Sequence, residues 1–157
     1  MRFFALLTPC LFLAAFVGAE ELPVWAGRHL FISVGGTTLT AGERAMLGEV
    51  RPGGVVLLGP NIDNAAQARA LVHEIKTACG MGVGVADWPL IATDQEGGRI
   101  NRLKLDNAPA AQELGTRGDA DAARAVGRRY ADACRSWGIG VVIGRVLDVL
   151  EEGTSTV

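Results

Sequence analysis

The sequence predicts an α/β fold, and within that class a partial TIM (β/α)8 barrel of about the first four β/α units. Three observations point there. Short apolar runs closed by Gly or Pro alternate with longer stretches whose apolar residues recur at helical spacing, the order that parallel strands and crossover helices produce. The runs are apolar throughout, as strands covered on both faces tend to be. The third observation is length: 157 residues carry four such strands, whereas a closed barrel takes about 250 residues and eight strands. An open doubly wound sheet shares the alternation. However, Gly35-Gly36-Thr37 after the first strand is no Gly-x-Gly-x-x-Gly, and no Walker A lysine is present.

The first residues stand apart from the fold. Met1-Arg2 is a short basic start, residues 3–17 are almost wholly apolar, and Val17-Gly18-Ala19 places small residues before a cleavage point. This three-part form predicts a secretory signal peptide over residues 1–19, the alternative being a buried N-terminal strand or helix. Pro9 before Cys10 argues against a lipoprotein site. No later segment approaches the roughly 20 apolar residues of a membrane span. The expected product is exported, to the periplasm or beyond, with residues 20–157 forming the fold.

Each element follows in turn. Residues 30–34 make the first strand, ended by Gly35-Gly36. Thr40 and Glu43 have capping-box spacing and open a helix through Val50, which Pro52-Gly53-Gly54 stops. Residues 55–58 are the second strand. Asn61 and Asn64 supply turn and cap residues for a helix over about residues 65–79, whose Ala68, Leu71, Val72 and Ile75 define a buried stripe. Residues 80–87 form a glycine-rich connection, residues 89–93 the third strand, and residues 94–99 a loop at its end. Pro109 interrupts the next stretch. Residues 119–137 form an alanine-rich helix with Ala122, Val126, Tyr130 and Ala133 on one face, ended by Gly138. Residues 139–143 are the fourth strand, leading into Val146-Leu147-Asp148-Val149 and a polar tail.

Composition excludes several functions. Lys plus Arg number 15 and Asp plus Glu 17, a net charge of −2 that lacks the field of a nucleic-acid binder or a polybasic membrane patch. A hydrophobic share of 49% excludes overall disorder. With no Cys-x-x-Cys pair and only His29 and His73, there is no ligand set for a structural zinc, and no cofactor is implied. Both histidines are expected to be ordinary structural residues. Cys79 and Cys134, each near a helix end, are expected to be buried free thiols.

The chemistry collects where the third strand ends, the place where parallel α/β proteins hold ligands. Asp94, Glu96, Arg99 and Arg102 set two carboxylates and two guanidiniums around Gly97-Gly98. Such a set suits a polyhydroxylated ligand, because carboxylates accept hydroxyl hydrogen bonds and arginine forks donate them with charge assistance. It equally suits a salt-bridge network that pins the loop.

The stretch Asp94-Gln95-Glu96-Gly97-Gly98-Arg99-Ile100-Asn101-Arg102 closely resembles the D-Q-E-G-G-R-V-x-R signature of glycoside hydrolase family 3, in its bacterial β-N-acetylhexosaminidase branch. Residues 54–61 resemble the family's G-G-x-I-L-F-x-R-N segment, and residues 137–149 its G-I-x-x-x-x-A-P-V-L-D-V strand. The resemblance spans roughly residues 30–149. It implies a TIM-like barrel that hydrolyses terminal β-linked N-acetylglucosamine with retention, through a covalent glycosyl-enzyme. It also implies that Asp94 and Arg102 bind the sugar, that Arg99 could touch it, and that Glu96, Gly97 and Gly98 support the loop. Asp148 is expected to be a strand-end cap or a supporting residue.

Pro60 stands where the family has arginine, and Arg145 where it has proline, both near strand ends. The K-H-F-P-G-H-G segment, which carries the family's acid/base histidine, is absent from these 157 residues, as is the later nucleophilic aspartate. Retaining hydrolysis ordinarily needs both a nucleophile and a proton donor, so no catalytic residue is assigned in this chain. Three readings follow. One is a truncated N-terminal part of an exported family 3 glycosidase, inactive alone. Another is a non-catalytic carbohydrate-binding remnant. The third is a structural domain without ligand.

Overall fold

Parallel strands backed by helices make the frame. A computed structural model describes residues 24–80 and 89–144. In chain order these form α1 (Val24–Gly27), β1 (Phe31–Ser33), α2 (Ala41–Val50), β2 (Gly54–Leu57), a 3-10 turn (Gly59–Asn61) and α3 (Ala65–Ala78). Then come β3 (Leu90–Gly97), β4 (Ile100–Asn101), α4 (Ala111–Arg117), α5 (Ala120–Trp137) and β5 (Val141–Ile143). β1, β2, β3 and β5 lie side by side and parallel, with Ile32 level with Val55, Val55 with Ile91, and Ala92 with Val141. β4 folds back antiparallel on the outer end of β3. This is the parallel α/β arrangement the alternation predicts. The expected signal segment, the glycine-rich connection from residue 81 onward, Arg145, Asp148 and the tail lie outside the described residues.

Local chemistry explains the helix ends. The Thr40 hydroxyl oxygen accepts from the Glu43 backbone N–H at 3.2 Å, and the Glu43 carboxylate accepts from the Thr40 N–H at 2.7 Å. That reciprocal box satisfies donors that a helix start leaves open. Asn64 caps α3 by accepting from Ala66 and Gln67 N–H, and Asp119 caps α5 by accepting from Asp121 and Ala122 N–H. Gly138 ends α5 in the left-handed conformation, at φ +80°.

Several features differ from the expectations drawn from sequence. β2 begins at Gly54 and not Val55, because Gly54 pairs with Phe31 on one side and Leu90 on the other, with the Phe31 ring lying where a Cβ would stand. β3 does not stop at Thr93. Asp94 is still level with Ile143 of β5, and Gln95 and Gly97 pair with β4, so the expected loop from Asp94 is strand and hairpin. α4 was not expected: Ala110 gives it no side-chain cap, Gly115 lowers its helix propensity, and Leu114 is its one buried residue. On α5 the buried residues are Tyr130, Cys134 and Trp137, while Ala122, Val126 and Ala133 are only half-buried.

The core lies between one face of the sheet and α2, α3 and α5. Leu47, the stripe Ala68, Leu71, Val72 and Ile75, and Cys134 and Trp137 pack with Val55, Leu57 and Ile91. Burying a large aliphatic side chain contributes about 1.5–3 kcal/mol, so the α3 stripe secures that helix despite its short length. Cys79 and Cys134 are both free and buried in this core, and burial pushes the Cys79 thiol up to about 11. The opposite face of the sheet is open among the described residues. Phe31, Leu90 and Ile143, alternating with the core-facing rows, are 50%, 42% and 51% exposed.

Candidate functional site

The open face and the outer strand ends meet at Asp94. β3 is the central strand, with β2 and β5 on its two sides, and Asp94 lies one residue beyond the Thr93–Leu57 pair. The chain then turns through Gly98-Arg99, and β4 brings Arg102 back beside its starting point. Arg102 Nε donates to both Asp94 carboxylate oxygens at 3.0 Å, and its Nη2 donates to Oδ2 at 2.7 Å. The arginine and aspartate side chains keep 27% and 19% of their surface open, so both can still meet a ligand from the sheet's uncovered side. Hydrogen bonding to Asp94, reinforced by the charges of Asp94 and Glu96, holds the Arg102 guanidinium above its ordinary pKa.

Two glycines make this return possible. Gly97 adopts φ +88°, and a Cβ there would stand 2.1 Å from the Pro109 carbonyl oxygen. Gly98 adopts φ +55° at the first position of the turn, a conformation that costs a side-chain-bearing residue energy. Between Gln95 and Gly97 the register slips, leaving Glu96 as the extra residue of a β-bulge. Bulges of this kind redirect side chains near sites.

The other expected site residues have different surroundings. Arg99 is exposed at the hairpin tip, and Glu96 is half-buried; neither side chain forms a hydrogen bond or salt bridge among the described residues. Glu96 acts on the pair through its charge on Arg102 alone. The bonds that tie the hairpin run through Gln95 and Asn101, which the sequence reading passed over. Asn61, a turn residue by its sequence and the last residue of the segment that resembles the family's, is 1% exposed. Its amide donates to the Val34 and Gly36 carbonyls and accepts from Leu58 N–H, fastening the ends of β1 and β2 together. Pro60 sits exposed in the turn beside Gly59, and a Cβ on residue 59 would lie 3.4 Å from Arg102 Nη1. His29 is exposed and bonds the Trp25 carbonyl, and His73 is exposed on α3.

Residues 24–156 match the profile of the glycosyl hydrolase family 3 N terminal domain. The chain belongs to that family. A beta-hexosaminidase of Bordetella avium is 34% identical over 137 residues, covering 82% of this chain and 37% of its own length. One of Pseudomonas aeruginosa is 37% identical over 75 residues, covering 48% of this chain and 20% of its own. The match thus spans between about a fifth and two fifths of the length of the curated relatives. Among solved structures, a family 3 beta-N-acetylglucosaminidase from Paenibacillus superposes with a TM-score of 0.69 at 26% identity, covering 79% of this chain and 24% of that one. NagZ from Neisseria gonorrhoeae gives 0.62 at 30% identity, covering 76% and 36%. The family 3 architecture is therefore the frame that sets Asp94 and Arg102 on the sheet's open side.

Proposed function

We propose that this chain supplies the sugar-binding part of a β-N-acetylhexosaminidase-type retaining glycosidase, acting outside the cytoplasm on terminal β-linked N-acetylglucosamine. One observation carries the reading: a carboxylate and a guanidinium, joined by three hydrogen bonds and still partly open, stand together at the outer end of the central strand. In the pair the carboxylate retains lone pairs for ligand hydroxyls, and Arg102 Nη1 remains a donor. The beta-hexosaminidase relatives and the matched signature support the sugar class. Export is supported by the three-part leader of residues 1–19. The pair binds and orients; hydrolysis requires a nucleophile and a proton donor that these 157 residues do not supply by their motifs.

Titration calorimetry of the chain with N-acetylglucosamine tests this reading. Asp94→Ala and Arg102→Ala are each expected to weaken binding about ten- to hundredfold, the effect of losing a charge-assisted hydrogen bond. Unchanged binding in folded variants would overturn the assignment. No turnover of a chromogenic N-acetylglucosaminide is expected from this chain, and turnover would show that its acid and nucleophile had been missed.

A further inference from the structure

The Asp94–Arg102 pair draws its geometry from a neighbour that faces the other way. Gln95 follows Asp94 on β3, and its side chain is buried on the core side at 1% exposure. Its Oε1 accepts from the Leu103 backbone N–H at 3.1 Å, and its Nε2 donates to Asn101 Oδ1 at 2.9 Å. One amide therefore holds the residue before Arg102 and the residue after it. Asn101 extends the clamp: its Oδ1 also accepts from Leu105 N–H at 3.1 Å, and its Nδ2 donates to the Leu105 carbonyl at 2.8 Å. Leu103, 2% exposed, anchors the far side in the core. The amide's orientation is set by both partners, because a flip would put Nε2 against the Leu103 N–H donor and Oε1 against the Asn101 Oδ1 acceptor.

We infer that Gln95 is a positioning residue for sugar binding, setting through Asn101 and Leu103 where the Arg102 guanidinium stands against Asp94. This rests on the sugar-binding reading of the pair. No backbone ladder bond holds Arg102 itself, since β4 ends at Asn101. Its backbone is fixed by its neighbours: Asn101 by its ladder pairing with Gln95 and by the Gln95 amide, and Leu103 by the same amide and the core. A carboxylate at position 95 would keep the acceptor for Leu103 N–H but set a second acceptor against Asn101 Oδ1. Protonation would restore the missing donor. The substitution Gln95→Glu thus turns the clamp into a pH-dependent one, which a residue that merely fills space would not do.

The experiment follows two signals in the full chain and in Gln95→Glu and Gln95→Leu. One is N-acetylglucosamine affinity; the other is the Arg102 Nε–H resonance, which reports the ion pair without any sugar. Wild type is expected to hold both nearly constant from about pH 5 to 8. Gln95→Glu is expected to approach wild type at the acid end and to lose about tenfold in affinity at the alkaline end. The Nε–H signal should broaden or lose exchange protection over the same range, while circular dichroism still reports a folded chain. Gln95→Leu, if it folds, should show the weakened state at every pH. A pH-independent, wild-type affinity and an unaltered Nε–H signal in folded Gln95→Glu would overturn the inference. A protected Nε–H in wild type with no sugar binding would overturn the function and, with it, Gln95's role in binding. The clamp on Arg102 would then be judged by the resonance alone.

Discussion

Three of the nine residues from Asp94 to Arg102 act here through chemistry that their neighbours prepare. Asp94 and Arg102 carry charge to the open face, while Gln95 between the strand and the core keeps the return path in place. Gly97 makes that path sterically possible. Replacing it with alanine would drive a Cβ to 2.1 Å from the Pro109 carbonyl oxygen and 2.9 Å from Tyr130 Oη, at a φ of +88°. Both the clash and the conformation oppose the change, so Gly97→Ala is expected to destabilise the chain by about 2–4 kcal/mol, read as a lower urea midpoint. An unchanged midpoint would mean that Pro109 and α4 can shift aside at little cost. The acid–guanidinium motif was legible in the sequence, because charged residues flanking paired glycines are conspicuous. The clamp was not. A glutamine and an asparagine in a polar stretch carry no sign of burial until the strand that buries one of them is known.

At the scale of elements, capping chemistry was the most transparent feature. Thr40 with Glu43, and Asn64, mark two helix starts by side chains that accept backbone N–H groups, and both are observed; Asp119, placed by its sequence inside the helix, is the cap of α5. Thr40→Ala should cost about 1 kcal/mol, measured by chemical denaturation. The same box has a pH signature. The Gly35 backbone N–H first, then the Thr40 N–H and hydroxyl, lower the Glu43 pKa. Because the folded-state value is depressed, the contribution is fully present above the unfolded carboxylate value of about 4.3 and is lost as pH falls through the folded one. The stability difference between wild type and Glu43→Gln is therefore expected to shrink on acidification below about pH 4. A difference that grew there would contradict the assignment. α4 was missed for the complementary reason, since it has no capping side chain and a single buried residue. The hairpin reads as a loop in sequence because Asp and Gly are poor strand formers, whereas pairing with β4 and β5 overrides that preference.

For the whole molecule, the decisive asymmetry is between the two faces of the sheet. One is covered by α2, α3 and α5; the other exposes Phe31, Leu90 and Ile143, with Leu58 beyond β2 at 39%. Among the described residues β1 and β5 each have one unpaired edge. Open edges beside an apolar face favour association with other chains. The chain is expected to sediment as concentration-dependent oligomers and to bind a hydrophobic dye. Ile143→Glu, placed on that face at the edge strand, should reduce both with little change in thermal midpoint. A monomer that ignores the dye and is indifferent to this substitution would show that the face is covered in solution.

The sequence by itself determined the class, the alternation of strands and helices, the caps and the stripe of α3. These rest on residues within a few positions of one another, whose spacing already encodes turn, cap and face. It also located the charged motif that carries the family signature. Only the tertiary structure decided that β3 runs on through Asp94 and that Glu96 bulges from the ladder. Tertiary structure also decided that Gln95 and Asn61 are buried hubs and that, among the described residues, one sheet face stands open. Those properties depend on which strands come to lie beside β3, and on which side of it the helices pack. Both are set by contacts between residues far apart in the chain, where local spacing carries no information.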